Sequence, residues 1–202
     1  MRRVIASEYV TLDGVMEAPG SEASLGDRGG WSFLYSNDEA AAFKFDEVMA
    51  SDALLLGRVT YDIFAASWPA RTGEFADRMN RLPKYVVSAT METAAWENTH
   101  MIRDDVAGAV SGLKRQPGQD ILLYGSADLV RALTEHALID EYRFMIFPLI
   151  LGTGKRLFDN GISARLKLVE AKTFSSGVVV LTYHPEGKAQ RHLMTGRSRC
   201  GC

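Results

Sequence analysis

Two short turns carry residue types suited to holding an anion. Gly57-Arg58-Val59-Thr60 follows the apolar run Ala53 to Leu56, and Gly125-Ser126-Ala127-Asp128 follows Ile121 to Tyr124; each leads into a helical pattern. A glycine lets a ligand approach the backbone, the first amides of a helix are unpaired donors, and a hydroxyl adds another, so such a turn suits a phosphate. Arg58 adds a cation. The same residues also serve as plain strand-to-helix connections, and spacing alone leaves both readings open. A third turn, Ser88-Ala89-Thr90, has two hydroxyls with Lys84 and Arg81 nearby in sequence, types that suit an extra phosphate on a ribose. Hydroxyls also cap helices and fill turns. Gly152-Thr153-Gly154-Lys155-Arg156 is a basic glycine turn fit for a substrate phosphate, or for plain solvation of its two cations.

The elements that must position these turns are legible as an alternation. Val4 to Leu12 alternates apolar and polar residues as a half-buried strand does, and Asp13-Gly14 supplies a turn. Gly20 to Gly30 reads as a mobile loop. Asn37 caps a helix over Asp38 to Met49, with Ala42, Phe45, Val48 and Met49 on one face. Ala53 to Leu56 is a buried strand, followed by a helix from near Thr60. Tyr85 to Val87 is a strand, Asp104 caps a helix to about Arg115, and Ile121 to Tyr124 is a strand. A helix from Gly125-Ser126 to about His136 follows. Glu141 to Phe147 is strand-like, and Lys167 to Phe174 with Val178 to Tyr183 forms a hairpin across Ser175-Ser176-Gly177. This pattern predicts an α/β fold with three layers, a mixed, mostly parallel central sheet flanked by helices, and an antiparallel C-terminal hairpin.

With 202 residues and a net charge of -2, the chain suits one α/β core over residues 1–184 and offers no field that gathers nucleic acid. Residues 185–202 read as a basic tail containing both cysteines, Cys200 and Cys202, too close together to staple a fold. No apolar stretch is long enough for a membrane helix and Met1-Arg2-Arg3 leads into a strand, so a cytoplasmic location is expected. The four histidines lack zinc-site spacing, and no metal is expected. The spaced Gly-x-Gly-x-x-Gly of the Rossmann fingerprint is absent.

Taken in order, Val10-Thr11-Leu12-Asp13-Gly14, Leu54 through Tyr61, Lys84-Tyr85-Val86-Val87-Ser88, Ile121 through Ser126, and Pro148 through Gly154-Lys155-Arg156-Leu157-Phe158 resemble the dihydrofolate-reductase-like proteins of the RibD C-terminal domain family. The resemblance runs from Val4 to about His184. It implies NADPH bound across the carboxyl edge of the sheet, at Gly57, Arg58, Thr60, Ser88, Thr90, Gly125, Ser126 and Ala127, with Leu12 and Leu129 alongside. The zinc-deaminase signature that the bifunctional riboflavin enzyme carries is missing. Folate-reducing enzymes use an acidic residue on the helix after the first loop; here Asp38, Glu39, Asp46 and Glu47 are available, with Glu39 nearest by position. Asp13 is the second candidate for proton transfer, lying where the family's nicotinamide end falls; Asp-Gly is also simply a turn. Trp31, Phe33 and Tyr35 either wall an aromatic substrate against the nicotinamide or pack as a lid on the core.

Two functions of different class follow: NADPH-dependent hydride transfer to a small heterocyclic or carbonyl-like substrate, with reduction of the phosphorylated riboflavin-pathway pyrimidine as a variant, or a module that binds NADPH or another nucleotide without turnover. Strand Tyr142 to Phe147 and hairpin strand Val178 to Tyr183, placed late in the chain where an edge would be uncovered, lead to the expectation of a homodimer.

Overall fold

The strand and helix periods of the sequence become β1 (Val4–Thr11), α1 (Asp38–Met49), β2 (Ser51–Gly57), α2 (Arg58–Ser67), α3 (Glu74–Arg81), β3 (Lys84–Val87), β4 (Thr99–Ile102), α4 (Val106–Arg115), β5 (Asp120–Leu123), α5 (Ala127–Glu135), β6 (Glu141–Phe147), β7 (Leu166–Thr173) and β8 (Val179–Pro185). The computed structural model describes residues 1–20, 24–158 and 161–187, so part of the Gly20–Gly30 loop and most of the 185–202 tail, with its cysteines, lie outside the described residues. Asn37 caps α1, accepting a hydrogen bond from the Ala40 amide at 2.9 Å. The cap of α4 is Asp105, not Asp104: with φ at 42° its carboxylate accepts from Gly108 N. Helix α3 and strand β4 enter as findings: α3 carries acids in its first turn, arginines in its last and a buried stripe of Ala76 and Met79 that the sequence reading passed over, while the four residues of β4 are specified by parallel pairing with β3.

The eight strands of the described residues form one sheet in the order β4-β3-β2-β5-β1-β6-β8-β7. Neighbours from β4 to β6 pair in parallel, while β8 runs antiparallel to β6 and β7 antiparallel to β8. Val4, Ala6, Leu55, Ile121 and Leu123 bury one face against Val110 and Leu113 of α4 and Leu129, Val130 and Leu133 of α5. Ile5, Leu54, Leu56 and Leu122 bury the other against Val48 of α1, Tyr61 of α2 and Met79 of α3. The result is the expected three-layer α/β arrangement with its closing hairpin.

Two expectations about faces are corrected. In α1, Ala42 is exposed, and the side turned inward includes Lys44, Glu47 and Val48. Phe45, Val48 and Met49 of the expected face are half-buried or buried, and the inward side extends beyond it because Lys44 and Glu47 share a network there. The strands on which a homodimer was argued, β6 and β8, are interior to the sheet; β7 is the edge. That edge carries Lys167, Glu170 and Lys172 and a register shift between Leu168 and Glu170, devices that oppose pairing with another strand.

No helix among the described residues is long and apolar enough to cross a membrane. Nor do three or more His, Cys, Asp or Glu side chains among the described residues converge in a metal-holding group.

Candidate functional site

Adjacent strands whose chains leave for opposite faces open a crevice at their carboxyl ends. Strands β2 and β5 are such a pair: they are neighbours in parallel register, α2 packs on one face and α5 on the other. The turns singled out in sequence are thus brought into direct contact, with Thr60 Oγ1 3.0 Å from Ser126 Oγ. A Cβ at Gly57 would lie 2.2 Å from Ser126 Oγ, and one at Gly125 would lie 2.6 Å from Thr60 Oγ1. Both glycines are therefore required by the close approach of one turn to the other. Helices α1 and α4 carry capping side chains, whereas α2 and α5 have no side-chain cap. The positive ends of two helix dipoles therefore meet at one crevice without a side chain bonded to their first amides.

Along the same edge, Val87 pairs with Ile102, and Ser88 N donates to Ile102 O at 3.0 Å. Ser88 Oγ accepts from the amides of Thr90 and Met91, which leaves its O–H to donate outward. Thr90 is exposed beside it. The cation here is Arg103, missed in the sequence reading because β4 was not recognised: it follows Ile102, is exposed, and has no carboxylate partner among the described residues. Lys84 and Arg81 are at the opposite end of β3. Lys84 is 0% exposed, donates to Asn80 O and Glu97 O and lies 4.1 Å over the Trp96 ring; burial lowers its ammonium to about 8. Four residues of strand, about 13 Å, separate it from Ser88. Arg58 is at the crevice but paired with Asp62 at 2.6 Å.

The remaining candidates are engaged by the protein itself. Asp13 accepts from Thr11 Oγ1 (2.6 Å), Leu151 N (3.2 Å) and Gly152 N (2.8 Å). The Thr11 hydroxyl above all, with both amides, holds its carboxyl below the usual range. Glu39 accepts from Ser175 N and Oγ at 2.6 and 2.5 Å, which likewise lowers its carboxyl and ties α1 to the hairpin turn. Gly152 and Gly154 adopt positive φ, but Gly152 N is taken by Asp13, Lys155 N by Glu17, and Lys155 Nζ by Asp128 at 2.5 Å. The loop expected to receive a substrate phosphate thus has the amides of Gly152 and Lys155 and the Lys155 ammonium occupied by carboxylates of the same chain. Trp31 is 2% exposed, donates to Glu17 O and packs on Phe147; it is the lid on the core. Leu129, 5% exposed, packs in the core from α5. Ala127 is buried, and Leu12 is 62% exposed after β1.

Asp13 offers a direct test of this anchoring. Asp13→Asn places an amide donor against the backbone donors of Leu151 and Gly152, and losing such an acceptor costs about 1–3 kcal/mol. Because the folded carboxyl is lowered, its contribution is present above the unfolded value and is lost as pH falls through the folded one. Urea titrations are therefore expected to show the full deficit at neutral pH and a shrinking one below about pH 4; a deficit equal at both would refute the role.

Sequence reasoning also missed a buried ionic network between α1 and the sheet. Glu47 accepts from Lys44 Nζ (2.9 Å), Arg143 Nη1 (3.1 Å) and Ser7 Oγ (2.9 Å). Lys44 Nζ also lies 4.7 Å over Tyr124, the residue before Gly125.

The family model of the RibD C-terminal domain matches residues 2–180. The uncharacterized protein YyaP of Bacillus subtilis (strain 168) is 34% identical over 192 residues, 92% of this chain and 96% of that protein. Among solved structures, a protein from Shewanella sp. PV-4 provisionally described as a riboflavin biosynthesis protein is similar with a TM-score of 0.73 and 19% identity, covering 93% of this chain and 100% of that one. Dihydrofolate reductase from Enterococcus faecalis, complexed with NADP(H) and RAB-propyl, has a TM-score of 0.60 and 13% identity over 92% of this chain and 97% of that one.

Proposed function

Because this chain belongs to the RibD C-terminal domain family, we propose that it is an NADPH-dependent reductase of a small heterocyclic or carbonyl-like substrate. The observation that carries the reading is the crevice between the Gly57 and Gly125 turns, where two helix starts without side-chain caps converge. A dinucleotide pyrophosphate matches two such starts. The similarity to a reductase complexed with NADP(H) supports the same ligand.

Bound there, NADPH supplies the hydride. The residues of this chain bind and orient it: the backbone from Gly57 to Thr60 and of Ser126 and Ala127 holds phosphate beside Gly125, whose own amide is taken by Glu8, and Ser88, Thr90 and Arg103 read the ribose phosphate. Asp13 and Glu39 are held by hydrogen bonds within the chain that lower both carboxyls, so neither is assigned as donor of the proton that accompanies the hydride. Asp13 acts by holding the chain after Leu12 against the loop from Leu151 to Gly152.

Calorimetric titration with NADPH and NADH tests the reading. NADPH is expected to bind at least ~10-fold more tightly, and Arg103→Gln is expected to weaken NADPH by about fivefold, an exposed ion pair's worth, with NADH unaffected. Binding of neither nucleotide sinks the proposal. The engagement of both carboxylates favours one alternative, a module that binds NADPH without turnover; NADPH consumption with carbonyl and pyrimidine substrates separates the two.

A further inference from the structure

Glu8 is the fifth residue of β1, on the face that carries Val4, Ala6 and Val10, and is 2% exposed. Its Oε2 accepts from Gly125 N at 2.9 Å, while Oε1 is buried without a hydrogen-bond partner. Its strand neighbour on β6 is Phe144. The cation that acts on it, Lys44 of α1, is bonded to Ser7 and Glu47, and Ser7 leaves β1 on the other face. From α5, Asp128 is paired with Lys155 and Arg131.

A carboxylate held by one amide in apolar surroundings is costly, and its neutral form is favoured. Burial pushes the Glu8 carboxyl up to about 8; Lys44 and the Gly125 amide pull it down, and Glu47 pushes it up. The amide that Glu8 holds belongs to the turn that starts α5. A phosphate at that helix start brings negative charge beside the carboxyl and disfavours its ionised form further.

We propose that Glu8 is a positioning residue that couples anion binding at the β5–α5 turn to uptake of a proton. The inference rests on the reading of that turn as a phosphate site. By linkage, affinity falls as pH rises through the titration of Glu8.

The test is calorimetry of the full chain with NADPH near pH 8 in two buffers of different ionisation enthalpy. Wild type is expected to take up on the order of half a proton per NADPH, with affinity falling several-fold between about pH 7 and pH 9. Glu8→Gln retains an acceptor for Gly125 N; it is expected to bind with no uptake and level affinity over this range. Equal uptake in both proteins, or none in wild type, overturns the proposal. If neither protein binds NADPH, the reductase reading fails separately, and the same titrations with ADP decide the role of Glu8: uptake that depends on Glu8 sustains it, whereas ADP binding without uptake, or no binding, overturns it. Should Glu8→Gln fail to fold, carboxyl carbon NMR of wild type serves. A glutamate titrating near pH 8 whose midpoint rises on adding ADP sustains the proposal, and a midpoint that does not move overturns it.

Discussion

Glu47→Ala is expected to be the most destabilising single substitution in the polar interior. The carboxylate is 1% exposed and neutralises two cations at once, Lys44 and Arg143, while Ser7 and Tyr124 point hydroxyls at it. Removing it leaves the Lys44 ammonium and the Arg143 guanidinium against the sheet, with Glu141 as the remaining carboxylate partner of Arg143. Breaking a buried pair from one side costs about 3–5 kcal/mol. At about 2–4 °C per kcal/mol for a chain of this size, thermal melting is expected to fall by about 10 °C. Adding Lys44→Met, which removes one stranded charge, is expected to recover part of the loss, so the double variant is less destabilised than the sum of the singles. A simple sum would mean that the network is not coupled.

The second large effect concerns binding. Gly57 has φ of -84° and ψ of 165°, a conformation alanine adopts freely, so the cost of Gly57→Ala comes from the other turn. The new methyl would lie 2.2 Å from Ser126 Oγ and 2.6 Å from Ser126 Cβ, and relieving such overpacking costs about 1–3 kcal/mol. Separating the turns misplaces both helix starts, and NADPH affinity is expected to drop by about 10-fold or more. Ser126→Gly in the same chain removes the atoms that clash and is expected to restore most of the binding. Gly125→Ala is expected to be worse, because φ of +64° adds backbone strain to a Cβ 2.6 Å from Thr60 Oγ1. Wild-type affinity in Gly57→Ala would show that this contact does not shape the ligand site.

The candidate site was readable in unequal parts. Gly57, Thr60, Gly125 and Ser126 could be named as turn residues because a strand, a glycine and a helix start are consecutive in the chain. Their contact could not, since Thr60 and Ser126 are 66 positions apart and meet only through the placement of β5 beside β2. Arg103 was invisible for a related reason: Thr99 to Ile102 has little strand signal of its own and is held by its pairing with β3.

Charge misled the reading in both directions. Asp13, Glu39 and Lys155 look available in sequence, yet besides near neighbours such as Thr11 the first two bond residues 136 to 139 positions away, and the Lys155 ammonium bonds a carboxylate 27 positions away. Glu8, Lys44 and Arg143 carry no local mark of burial and Glu47 was only one of four acids on α1, yet the sheet and α1 bury most or all of each.

What the sequence by itself determined is the alternation of strands and helices, the Asn37 cap, the closing hairpin and the family. These depend on backbone periodicity and on local hydrogen bonds within a few residues. Tertiary structure alone decided which turns face one another, which acids are already consumed as anchors, and which charge is buried with an unpaired oxygen. Those outcomes depend on strand order and on desolvation, and neither is a property of any short segment of the chain.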